Sequence, residues 1–198
     1  MAISRLSNST LGNGLPKYQK AWDGTTLDDA LVLIGTANFN GGGTIAFENI
    51  PQGYQDLILN ITIRGGYAAS LVSVYGFLNN DTASNYYFIN YYSDGGGVSS
   101  GRGFTQPAMY VGYAPGGTAT TGQLASTTVT YFNYANTATG KPYIAKYGCD
   151  QNGGGRAGYF GGYWSGTTGI NKISITSDGG GGVSLGGATL YAVKAVGQ

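Results

Sequence analysis

Glycine punctuation is the feature that most constrains what this chain can fold into. From Leu31 onward, short runs in which β-branched and aromatic residues alternate with polar ones are separated by glycine clusters at 41–43, 95–97, 153–155 and 179–182. A period of two sends alternate side chains to opposite faces of an extended strand, and glycine permits the positive φ of tight reversals. The runs place strands at 31–37, 44–48, 56–64, 71–78, 86–91, 108–113, 124–134, 143–148, 158–164, 170–176 and 188–194, with no competing helix, so the expected class is all-β. Over 56–64, Leu57, Leu59, Ile61 and Ile63 share one face, and Ile58, Asn60, Thr62 and Arg64 the other. Ile173 and Ile175 repeat the inward pattern, and Leu190, Ala192 and Lys194 stand opposite Tyr191 and Val193. One face buried and one half wet suits a two-sheet β-sandwich. The glycine clusters read as turns. A second reading is that loops without side chains admit the backbone of another subunit. A phosphate cradle is disfavoured, because no cluster precedes a Lys-Ser or Lys-Thr pair and a helix.

Residues 1–26 are different. Ile3, Leu6, Leu11, Leu15, Tyr18 and Trp22 are well spaced, Arg5, Lys17 and Lys20 are cationic, no acid precedes Asp23, and no helix or strand period is sustained. This is an extended N-terminal arm ahead of one domain at 27–198. The residues expected to dock it are Ile3, Arg5, Leu6, Leu11, Leu15, Lys17, Tyr18 and Trp22. Asp28 and Asp29 fall in a short helical turn capped by Asp23 or Thr25, a hinge between arm and domain.

Composition removes whole classes of function. Of 198 residues only 10% are charged, against roughly 25% in ordinary globular proteins, and the net charge is +1. The ten Lys and Arg are scattered, so nucleic acid, which needs clustered cations, is not an expected partner. With no histidine, the Ser-His-Asp triad and His-based metal sites are excluded. The single Cys149 has no intrachain partner and reads as a small strand residue. No catalytic residues, cofactor or membrane insertion are expected. The first residues lack the apolar stretch of a secretion signal, which points to synthesis in a cytoplasm.

Some constellations remain. LNNDTASNYY, CDQNGGG and SDGGGG put Asp beside Asn, Ser or Gly, as Ca²⁺ ligation would use, but none has EF-hand spacing and Asx turns account for them equally. No metal is expected. In GYFGGYWSG, Tyr159, Tyr163 and Trp164 sit among glycines that cannot hide them. With Arg156 and Asp150 nearby they would suit a glycan-binding surface. Filling the sandwich or a subunit interface is the commoner use of such rings.

Four blocks together carry a resemblance: TIAFENIPQGYQDLILNITIRG (44–65), LNNDTASNYYF (78–88), YWSGTTGINKISITS (163–177) and ATLYAVKA (188–195). The chain resembles jelly-roll-like virion structural proteins of tailed bacteriophages, of the kind carried by phages of cyanobacteria and other marine bacteria. SRLSNSTLGNGLPKYQKAWDG (4–24) looks like the attachment segment of such proteins. The resemblance implies a jelly-roll-like sandwich displayed on the virion as a capsid decoration or cement protein, a head fibre or a tail fibre, often as a homotrimer. It implies the major capsid protein or tail proteins as partners, with host glycan as an alternative ligand.

Overall fold

The computed structural model describes residues 31–151 and 154–194. The docking arm and the turn expected around Asp28 and Asp29 lie outside the described residues. Twelve strands follow one another: β1 (Leu31–Asn40), β2 (Ile45–Phe47), β3 (Asp56–Gly65), β4 (Leu71–Leu78), β5 (Tyr86–Ser93), β6 (Val98–Gln106), β7 (Met109–Pro115), β8 (Ala125–Tyr131), β9 (Lys141–Asp150), β10 (Gly155–Trp164), β11 (Ile173–Ser177) and β12 (Val183–Val193). Among the described residues there is no helix.

The strands form two antiparallel sheets. A large one has the order β1-β12-β3-β8-β9-β10-β5-β6 and a small one the order β2-β11-β4-β7. Four ladders are nested: β5 pairs β6, β4 pairs β7, β3 pairs β8, and β2 pairs β11. A long antiparallel ribbon folded over on itself in this way is a jelly roll. The β9–β10 hairpin is inserted between β8 and β5, while β12 and β1 extend the large sheet beyond β3. The chain therefore forms the all-β, jelly-roll-like two-sheet sandwich expected from its sequence.

Alternation decides what enters the core. Leu57, Leu59, Ile61 and Ile63 are buried while Asn60 and Thr62 between them are exposed, and Ile173, Ile175, Leu190 and Ala192 are likewise fully buried. Where the small sheet is too narrow to cover the large one, aromatic rings close the gap. Phe160 on β10 lies 5.3 Å from Phe88, 5.7 Å from Tyr147, 6.2 Å from Tyr113 and 6.4 Å from Tyr110, joining the inner face of the large sheet to β7. Cys149 is buried on β9 as a free thiol. Arg64 donates to the carbonyls of Thr120 (2.8 Å), Ala119 (2.7 Å) and Gly117 (3.3 Å), which fastens the β7–β8 loop to β3.

One sequence reading needs amendment. β6 is an additional strand, an edge strand paired only with β5 and exposed along nearly all its length. Its sequence, VSSGRGFTQ, lacks the inward apolar set that a half-buried strand requires, because neither of its faces meets the core. The glycine clusters at 41–43 and 179–182 do form loops, and their bare backbones come together within this chain. Val183 N donates to Gly43 O at 2.9 Å, and a Cβ on Gly182 would lie 2.6 Å from Gly43 N.

Candidate functional site

The aromatic group on β10 is divided by the strand's own period. Residues 163 and 164 are neighbours, so their side chains point to opposite faces of the sheet. Tyr159 and Tyr163 face solvent, at 40% and 44% exposure, whereas Trp164 is 3% exposed. The Trp164 indole Nε1 donates to Asp81 Oδ2 at 2.6 Å. Trp164 therefore belongs to the core and not to a surface with the two tyrosines. Arg156 also points away from them: its guanidinium lies 4.3 Å from the Tyr92 ring centroid and 4.4 Å from that of Tyr113.

The true neighbours of Tyr159 and Tyr163 come from other strands. Register sets Tyr159 beside Tyr91 and Tyr163 beside Tyr87, with Gly161 facing Ile89 between them. On the other side, Lys146 flanks Tyr159, Ile144 flanks Gly161 and Pro142 flanks Tyr163. β6 adds Arg102 beside Ile89 and Ser100 beside Tyr91. The Tyr87 and Tyr163 rings stack with centroids 4.8 Å apart and planes within 5°, and Tyr91 and Tyr159 stack at 5.2 Å and 29°. Ile89 and Phe104 are 64% and 56% exposed, which makes this half of the outer face apolar as well as aromatic.

Two shallow hollows result. One, of about 550 Å³, is bounded by Tyr87, Tyr163, Ile89, Phe104 and Arg102, with Gly161 on its floor. The Arg102 guanidinium lies over the Phe104 ring, 4.5 Å from its centroid. The second, of about 290 Å³, is lined by Tyr91, Tyr159, Val98 and Lys146. Both sizes suit small polar ligands held against apolar walls. The opposite half of the outer face differs in character. Asn38, Asn60, Thr62, Thr128 and Thr189 line a polar depression of about 490 Å³ there, and Thr128 Oγ1 donates to Asn60 Oδ1 at 2.9 Å.

The Asp-rich turns behave as turns. Asp81 Oδ1 accepts from Ala83 N at 2.9 Å and Asp94 Oδ1 from Gly96 N at 3.0 Å, both Asx turns. Burial pushes the Asp81 carboxyl up, but hydrogen bonds from Trp164, Asn85 and Ala83 outweigh it and hold the group below the ordinary value. One buried oxygen of Asp178 has no hydrogen-bond partner among the described residues. Among those residues, no group of three or more His, Cys, Asp or Glu side chains is placed to hold a metal ion. No helix there is long and apolar enough to cross a membrane. Burial pushes the Cys149 thiol up, which suppresses the thiolate form.

The sequence pointed to Tyr159 and Tyr163 but missed Tyr87, Tyr91, Lys146 and Arg102. YYFINYY does show two alternating sets, and only the pairing of β5 with β10 reveals which set is outward and what it meets. The docking-arm residues Ile3, Arg5, Leu6, Leu11, Leu15, Lys17, Tyr18 and Trp22 lie outside the described residues. Fold and face together define a jelly-roll β-sandwich with one aromatic outer surface. Comparison with protein-family models, with curated proteins and with solved structures finds no match to this chain.

Proposed function

We propose that this chain is a structural protein of a bacteriophage virion and works by contact, without catalysis. In this reading residues 1–26 grip the capsid, with the major capsid protein as partner, and the sandwich decorates the shell with the outer face of its large sheet displayed. The observation that carries the reading is the half-face of exposed tyrosine, isoleucine and phenylalanine, since a contiguous apolar patch on a soluble domain marks an interaction surface. The resemblance of residues 44–65, 78–88, 163–177 and 188–195 to phage virion proteins supplies the setting. A homotrimer fits it, because three weakly binding arms act through effective concentration and raise avidity by about 10²–10⁴.

Immunogold labelling of intact particles with an antibody to the β-sandwich tests the proposal. Label over the head, lost when residues 1–22 are deleted, is the expected result; particles without label would sink it. The stacked tyrosine pairs favour a second reading, a tail-fibre or adsorption protein that binds host-surface glycan. Label confined to the tail would select it.

A further inference from the structure

We infer that the aromatic half of the large sheet's outer face binds an acidic polysaccharide, with one sugar unit seated in each of its two hollows. The inference rests on reading that face as the displayed surface. Each hollow combines the same two elements. The larger has the Tyr87–Tyr163 stack and Arg102; the smaller has the Tyr91–Tyr159 stack and Lys146. Aromatic walls accept the C–H faces of sugar rings, and a cation beside them accepts a carboxylate or sulfate, bidentately in the case of arginine.

Charge selects the ligand. Along the outward rows of β9, β10, β5 and β6 the cations are Lys146 and Arg102, and each lines one of the hollows; the one carboxylate on these rows, Asp150, stands four residues beyond Lys146 at the end of β9 and lines neither hollow. Neither cation is in an ion pair among the described residues. A neutral glycan would leave both unused. A protein partner fits less well, because interface cores are depleted in lysine and Lys146 stands directly beside Tyr159. Tyr159 and Tyr163 are four residues apart on one strand, about 14 Å. One extended polymer can thus occupy both hollows, and two weak sites on one chain reinforce each other.

Gly161 provides a steric probe. Nothing in the protein lies within 4 Å of where its Cβ would sit, so Gly161→Val fills the floor of the larger hollow without disturbing the fold. The experiment is affinity electrophoresis of the full chain through gels containing sodium alginate, a polyuronate, or dextran, which is neutral. Alginate should retard the protein and dextran should not. The retardation should vanish near about 1 M salt, where the Debye length is about 3 Å. The double variant Arg102→Ser/Lys146→Ser should weaken binding by at least about tenfold, and Gly161→Val should weaken it with no fall in melting temperature. The inference is overturned if neither polymer retards the protein, if dextran retards it equally, or if the double variant binds like the parent. It is overturned equally if alginate has no effect and Gly161→Val changes the sedimentation coefficient, which would make the face a contact between copies of this chain. Because the assay uses purified protein, its failure leaves the position on the particle to be decided by labelling.

Discussion

The indole of Trp164 donates a 2.6 Å hydrogen bond to the carboxylate of Asp81, tying the end of β10 to the turn between β4 and β5. The turn is closed around that carboxylate. Asp81 N donates to Leu78 O at 2.9 Å, and Asn79 and Asn80 at its centre have φ of 53° and 58°. Asn85 Nδ2 donates to Asp81 Oδ2 at 2.9 Å. The Tyr86 hydroxyl donates to Asp81 O and accepts from Leu78 N, each at 2.9 Å. A core tryptophan therefore holds the corner from which β5, carrying Tyr87, Ile89 and Tyr91, sets out.

Trp164→Phe keeps an aromatic ring but removes a charge-assisted hydrogen bond at a partly buried site. The expected loss of stability is about 1–3 kcal/mol in urea unfolding. Alginate retardation of the folded variant should be unchanged, because the ring faces the core. A variant with parental stability and weakened binding would contradict this placement.

The same carboxylate makes a prediction about acid. Asp81 is held below its ordinary value by its three donors after burial has acted in the opposite sense. A group depressed in the folded state contributes stability that is present above its unfolded value and is lost as pH falls through the folded one. Asp81→Asn should therefore be less stable than the parent at neutral pH, with the difference closing as pH drops below the ordinary carboxylate range. A difference that stays constant across that range in urea titrations would rule out the linkage.

Adjacent glycines on β10 should respond oppositely to substitution. Gly161 has open space where a Cβ would stand and sits between Ile144 and Ile89, so Gly161→Val adds strand propensity and a cross-strand neighbour. It should raise stability by roughly 0.5–1 kcal/mol. A Cβ on Gly162 would lie 2.2 Å from Tyr87 O and 2.9 Å from the Tyr143 ring, where backbone must move. Gly162→Ala should cost about 1–3 kcal/mol. Thermal unfolding of the pair checks both, and equal effects would mean that β5 and β10 are not packed in this register.

What could be read in the sequence follows from where burial imposes a pattern. Leu57, Leu59, Ile61 and Ile63 alternate with polar residues because one side of β3 is core, and that periodicity alone sets their orientation. β6 has no such side, and its glycines and serines look like loop. The aromatic outer face fails to show for a different reason. Tyr163 and Tyr87 are 76 positions apart in the chain and meet only through the β5–β10 ladder, while Lys146 arrives through β9. The sequence groups Trp164 with Tyr159 and Tyr163 because glycines surround all three. Glycines along one strand say nothing about what packs beneath it, here the β4–β5 turn that carries Asp81.

Alkaline pH should unfold the protein through its interior tyrosines. Burial pushes up the phenols of Tyr86, Tyr131, Tyr143 and Tyr147, and the Tyr131 hydroxyl has no hydrogen-bond partner among the described residues. A phenol raised in the folded state contributes stability that is complete below about pH 10, its unfolded value, and is lost as pH climbs toward the folded one. Lys141 works in the opposite sense. Burial lowers its ammonium, which donates to Thr139 O at 2.7 Å and Thr167 O at 3.3 Å, so this residue alone would add stability as pH rises to its unfolded value. Four raised tyrosines outweigh one lysine, and the net slope above pH 10 should be steeply downward. Tyrosinate absorbance should then show a late fraction that rises together with loss of the β-sheet circular dichroism signal. If all seventeen tyrosines ionise while that signal stays native, the phenols are not locked in the core as described.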